Sequence, residues 1–127
     1  MTEIQCFPNP DAFSIASTIK NQIGLDAWLA VSGRDLRYWT NATGDIVFAF
    51  RFGSRYGLPK WIEITYQQAS DDYDVIAYKI RRNGVKATLT IPDAFNENGI
   101  ERAEWDGVYF DALPRIVRRA NLIGELS

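Results

Sequence analysis

Residues 73–91 read YDVIAYKIRRNGVKATLTI, and the Asn83-Gly84 pair inside this stretch decides the fold. A type I′ turn needs positive φ at both central positions, which Asn-Gly supplies at least cost, so two flanking β-capable segments become a hairpin. Ile76, Tyr78 and Ile80 on one side and Val85, Ala87, Leu89 and Ile91 on the other are predicted to point inward. Pro92 ends the run. Upstream, residues 60–67 alternate with Ile62, Ile64 and Tyr66 as the inward set, and Ser70 to Asp72 supply a turn into the next strand. Residues 45–53 alternate more cleanly still: Ile46, Phe48, Phe50 and Phe52 face one way, Val47, Ala49 and Arg51 the other. Period-two alternation rich in aromatic residues is the pattern of a half-buried strand. Asn41 to Asp45 (NATGD) is turn chemistry, and residues 34–41 (RDLRYWTN) read as either an edge strand or an extended loop.

Helices close the two ends. Residues 9–24 carry Ala12, Ile15, Ala16, Ile19 and Ile23 at three- and four-residue spacing, with Asn9 as N-cap, Pro10 in the first turn and Gly24 as the stop. Residues 27–32 (AWLAVS) form a short apolar run read as a buried strand. Val108, Tyr109, Ala112, Leu113, Ile116, Val117 and Ala120 recur at helical spacing. Pro114 leaves the start of that helix open: it is tolerated after an Asp111 N-cap and kinks a helix begun near Val108. Residues 93–104 (DAFNENGIERAE) read as an acidic excursion. The predicted architecture is therefore one α+β domain over residues 1–127. An antiparallel sheet of about four to six strands forms a meander, with an N-terminal and a C-terminal helix packed on one face.

Composition narrows the chemistry. The chain has 127 residues, a net charge of -2, no histidine and one cysteine, Cys6. Without histidine the usual general base and the commonest metal ligand are missing together. A zinc site is not expected from one cysteine and no histidine. Asp71, Asp72 and Asp74 with Glu63 offer carboxylates but lack the ligand ladder of a calcium loop. They read as a turn whose side chains bond local amides. Six serines have no base beside them, and Gly53-Ser54-Arg55-Tyr56-Gly57 lacks the strand-to-helix setting of a nucleophile elbow. No catalytic residue, metal or cofactor is assigned. A lone cysteine fits a reducing compartment. The opening MTEIQCFPNPDAF lacks the basic and then apolar order of a secretory leader, and no run reaches the ~18 apolar residues of a membrane span. A cytoplasmic protein without membrane contact is expected.

Charge is uneven along the chain. Residues 51–86 hold seven Lys/Arg against four acids, and residues 93–111 hold six acids against Arg102. The face opposite the helices is predicted to show Val47, Ala49, Arg51, Trp61, Glu63, Thr65, Val75, Ala77, Lys79, Arg81, Lys86, Thr88 and Thr90. Arg51, Lys79, Arg81 and Lys86 around Trp61 make that face a candidate for phosphates and one stacked base. Set against this, the acidic total, the single outward aromatic and Glu63 in the middle favour an ordinary charged sheet surface. The four tryptophans exceed what so small a core absorbs. Tyr38, Trp39, Tyr56 and Trp105 are accordingly candidate protein-interface residues, with Tyr38, Trp39 and Trp105 expected to be exposed, unless these rings simply close the ends of the core. An unpaired edge strand would also invite dimerisation or strand addition.

Several fragments, in order, carry a resemblance: IKNQIG, LDAWLAVSG, DIVFAFRF, IEITY with DDYDV and KIRR, and WDGVYFDAL. The chain resembles a family of small, mostly uncharacterised accessory proteins encoded by bacteriophages and related mobile elements. The likeness spans most of residues 15–118. Residues 92–104 and Pro114 depart from the usual pattern. It carries over no functional residue, and implies a cytoplasmic protein of a bacterial host with an accessory role. Together these readings favour a non-enzymatic binder of a host or defence protein. A small nucleic-acid binder and a homo-oligomeric assembly component stand as alternatives.

Overall fold

The computed structural model describes residues 10–53, 58–91 and 101–126. Helix α1 (Pro10–Ile23) leads through Gly24 into α2 (Leu25–Ala30), followed by strands β1 (Arg34–Thr40), β2 (Ile46–Arg51), β3 (Lys60–Gln67), β4 (Asp72–Ile80), β5 (Lys86–Thr88) and β6 (Thr90–Ile91). After β7 (Glu101–Arg102) and β8 (Glu104–Val108), a single 3₁₀ turn (Phe110–Ala112) opens α3 (Leu113–Leu126). Strands β1 to β5 pair in sequence order and antiparallel, β8 joins the same edge of β4, and β6 pairs with β7 in a separate ribbon. The α+β meander with terminal helices is thus the observed fold.

One face of the sheet is the core. Phe48, Phe50 and Phe52 from β2 and the residue following it, Ile62 and Ile64 from β3, and Tyr73, Val75 and Ala77 from β4 cluster with Ala16, Ile19 and Ile23 of α1 and Leu113, Val117 and Ala120 of α3. Register enforces this. Phe48 lies opposite Ile64, Phe50 opposite Ile62, Ile62 opposite Ala77, and Ile64 opposite Val75.

Four expectations are corrected by this arrangement. In β4 the core-facing set is Tyr73, Val75 and Ala77 rather than Ile76, Tyr78 and Ile80. Both sets are apolar, so alternation alone could not choose between them. Small Val75 and Ala77 fit beneath the helices, and the bulkier Tyr78 turns its phenol to the other side, where a carboxylate receives it. Val85, at the hairpin, is exposed.

Residues 27–32 are not a strand: their first part belongs to α2. Gly24, at φ 83°, redirects the chain out of α1. Ala27 and Val31 then bury at four-residue spacing while Trp28 stacks on Phe50 at 4.7 Å. Residues 34–41 resolve as the edge strand. Finally, the stretch from Glu104 to Val108 is strand, not excursion or helix: Val108 pairs with Tyr73, and Gly107 (φ 63°) bends the chain away. Helix α3 starts after that bend, which leaves Pro114 in a first turn where its missing N–H costs nothing. Cys6, Asn9, Tyr56, Pro92 and residues 93–100 of the expected excursion lie outside the described residues.

Candidate functional site

The helix-free face of the sheet concentrates the polar chemistry. Strand parity puts Arg37 and Trp39 of β1, Val47, Ala49 and Arg51 of β2, Trp61, Glu63 and Thr65 of β3, Ile76 and Tyr78 of β4, and Lys86 and Thr88 of β5 there. Val47 and Ala49 are buried although no described helix covers them. Their cross-strand neighbours explain this. Trp39 lies opposite Val47, Arg37 opposite Ala49, and long side chains lay their stems over the small ones.

The charges on this face are spoken for. The Arg37 guanidinium sits 5.0 Å from the Trp61 ring centre, a cation–π stack that occupies the ring on that side. Tyr78 donates its hydroxyl to Glu63 Oε2 at 2.9 Å, and the Lys86 ammonium lies 3.3 Å from the same oxygen. Lys86 also stands 4.7 Å from the centre of the Tyr78 ring. Burial first, and the neighbouring Glu63 carboxylate second, push the Tyr78 phenol well above its ordinary 10.0. Arg51 reaches Asp35 at 3.5 Å, while its Nε is buried without a partner among the described residues.

Of the five residues assigned to this face from sequence, Arg51, Trp61 and Lys86 are on it. Lys79 is not. It lies opposite Lys60, in the same parity as Ala77 and Ile62, and so points to the helix side. Arg81 lies beyond β4, in the hairpin turn, where its N–H donates to Val85. These two errors follow from the reversed phase of β4. Arg37 was missed because residues 34–41 could not be fixed as a strand, and with them the parity that sets Arg37 over Trp61.

The expected interface aromatics are less available than their number suggested. Tyr38 and Trp105 pack partly against the core, Phe13 meets Tyr38 edge-on at 6.2 Å, and Trp39 is half-buried. Among the described residues Phe13, Leu36 and Val85 are exposed singly, and two further pairs of large apolar residues are exposed together. Leu25 and Leu29 of α2 are 70% and 65% exposed, and Tyr109 and Phe110, between β8 and α3, are each 62% exposed. A shallow, open groove runs beside the second pair, between β8 and the first turns of α3, with Trp105, Arg115 and Arg119 on its walls. A longer aromatic run at 105–110 (WDGVYF) is the sequence signal that could have found it.

The two ends of the sheet also differ. At one end, the start of β1, the end of β2, the start of β3 and the β4–β5 hairpin gather Arg34, Arg37, Arg51, Lys60, Lys79, Arg81, Arg82 and Lys86, with Asp35 as the acid among them. At the other, the β1–β2 and β3–β4 turns and the bend after Trp105 gather Asp45, Asp71, Asp72, Asp74 and Asp106. These acids accept local bonds. Tyr66 donates to Asp71 at 2.7 Å, Ser70 to Asp72 at 2.7 Å, and Gln67 to Asp74 at 2.8 Å. Among the described residues no three His, Cys, Asp or Glu converge as metal ligands, and no helix is long and apolar enough to cross a membrane. Compared with protein-family models, curated proteins and solved structures, the chain matches none.

Proposed function

We propose that this chain is a non-enzymatic accessory protein of phage type that acts in a bacterial host's cytoplasm by binding a host or defence protein. The observation that carries this reading is that four of the seven exposed large apolar residues among those described fall in adjacent pairs. Leu25 and Leu29 are neighbours on one side of α2, and Tyr109 and Phe110 are consecutive. Singly scattered apolar residues are normal on any surface, whereas adjacent ones leave contiguous apolar area facing water. Helix α2 and the 3₁₀ turn that Phe110 opens both touch α1. An edge strand adds a second mode of contact. Among the described residues β1 has β2 as its one strand neighbour, and a bulge at Asp35 (φ 54°) blunts its first half, leaving Tyr38 to Thr40 for an added strand.

Capture from bacterial lysate, followed by cross-linking, tests the reading. A specific protein retained by the wild type is expected to be lost with Tyr109→Ser/Phe110→Ser or with Leu25→Ser/Leu29→Ser, both variants keeping their far-UV circular dichroism. Retention unchanged by both double substitutions removes the reading. The alternative, single-stranded nucleic acid laid on the sheet face around Trp61, is weakened by the removal of Lys79 and Arg81 from that face and by the Arg37 stack on the ring. Salt-sensitive oligonucleotide binding lost in Trp61→Ala would restore it.

A further inference from the structure

Lys60 is the one buried charged residue among those described, at 8% exposure. It opens β3 on the helix side of the sheet, and its cross-strand partner is Lys79. Side chains directly opposite on an antiparallel pair have Cβ atoms about 5 Å apart, and like charges so placed destabilise the pair. The ion pairs of the described residues use Asp35, Glu63 and Glu104, so no carboxylate among them is within reach of either lysine. Sequence rules out a local rescue. There is no acid from residue 75 to residue 92 and none from residue 46 to residue 62. Burial first, and the Lys79 ammonium second, lower the Lys60 pKa from its ordinary 10.5. Buried cations are ordinarily paired. This one faces a second cation.

The geometry points to an oxyanion site at the basic end of the sheet, in which Lys60 and Lys79 together hold a phosphoryl group. An oxyanion between the two ammonium groups would convert a repulsion into two charge-assisted hydrogen bonds. Among the described residues the sealed, unpartnered side-chain nitrogen is Arg51 Nε and not Lys60 Nζ, so the tip of Lys60 keeps some contact with solvent. The hairpin cations Arg81 and Arg82 are exposed at the same end and would attract the anion without contacting it. A phosphoryl group comes free or as part of a nucleic-acid backbone, and the chemistry at the two lysines is shared. This site is independent of the apolar pairs proposed above to bind protein.

Calorimetric titration at low salt tests it, with inorganic pyrophosphate in one arm, a short oligothymidylate in the other, and chloride at matched ionic strength as the control. Saturable binding of pyrophosphate at one site is expected. Lys60→Met and Lys79→Gln should each weaken it by about tenfold, ~1.4 kcal/mol, while Arg82→Gln leaves it within about twofold, as a steering charge would. If Lys60→Met does not fold, Lys79→Gln on its half-exposed partner decides the matter alone. Binding confined to the oligothymidylate arm, with the same losses, supports the site and assigns the phosphoryl group to a polymer backbone. Absence of binding above the chloride control in both arms overturns the proposal. So does a loss in Arg82→Gln as large as in the lysine variants, which would signal bulk charge rather than a built site.

Discussion

The two faces of this sheet are stabilised by different physics. On the helix side, Phe48, Phe50, Ile62, Ile64 and Val75 are sealed beneath α1 and α3, and stability comes from apolar area and close packing. On the other side, Val47 and Ala49 are equally buried, but their cross-strand neighbours are long polar-tipped side chains, with Arg37 stacked on Trp61 and with Tyr78 and Lys86 held by Glu63. Exposure alone would not separate the two. What separates them is how the cover responds when a piece is removed: a helix layer cannot close over a hole, whereas long side chains at a water interface can rearrange.

Substitutions can break or sharpen that contrast. The largest effect is expected from Phe50→Ala, which removes the ring that Trp28 stacks on and leaves a cavity beneath α2. A loss of about 3–5 kcal/mol in urea unfolding is predicted. Next comes Gly33→Ala. A Cβ at Gly33 would stand 2.6 Å from the Trp28 ring, and that ring is held against Phe50, so the clash cannot be relieved cheaply. Overpacking of this kind costs about 1–3 kcal/mol. On the open face, Trp61→Ala forfeits the Arg37 stack and part of the cover, for an expected loss of about 1 kcal/mol. If it costs as much as Phe50→Ala, the two faces are not distinct in the way described.

Smaller effects at neutral pH sharpen the comparison further. Tyr78→Phe removes one hydrogen bond, worth about 1 kcal/mol, while Glu63 keeps Lys86. Its signature lies in alkali. The folded phenol holds its proton above 10.0, so the unfolded chain releases it first and stability falls as pH climbs past that value. The Phe variant should lack this fall, as urea midpoints measured from neutral pH to well above 10.0 would show. Lys60 works in the opposite direction. Its folded pKa is lowered, so the penalty is present at neutral pH and relieved as pH rises through the folded value toward 10.5. Lys60→Met is the reference that separates the two. The smallest change is expected from Lys86→Gln, whose largely exposed ammonium leaves Glu63 still holding the Tyr78 hydroxyl, at most about 0.5 kcal/mol.

Much of the fold was legible in the chain because several signals agreed at the same residues. The Asn83-Gly84 turn, the Phe48–Phe50–Phe52 alternation and the α1 stripe each combine periodicity with a stop residue. The phase of β4 was not legible, since Val75 and Ala77 compete with Ile76, Tyr78 and Ile80 as equally apolar sets, and tertiary packing into the shared core decides the winner. Nor was α2. A six-residue apolar run carries too little periodicity to tell helix from strand, and only the Gly24 turn and the seat of Trp28 on Phe50 resolve it. Of the candidate sheet-face site, Arg51, Trp61 and Lys86 follow from strands whose phase was unambiguous. Arg37 needed a pairing that no local pattern specifies, as did the meeting of Lys60 with Lys79 on the other face.

The separation of charge along the sheet has a consequence for how the molecule meets others. Strand β3 runs eight residues from Lys60 to Gln67, which at ~3.4 Å per residue is about 25 Å. That exceeds the ~8 Å screening length of physiological salt about threefold. The two ends therefore do not sense each other through solvent, and a net charge of -2 describes neither. Near an anionic body the protein carries a dipole and feels a torque that turns its hairpin end forward before contact. Near a cationic one it turns the other way. Two copies drawn together by the same forces would meet head to tail, as long as the salt is dilute enough for one end to find the other.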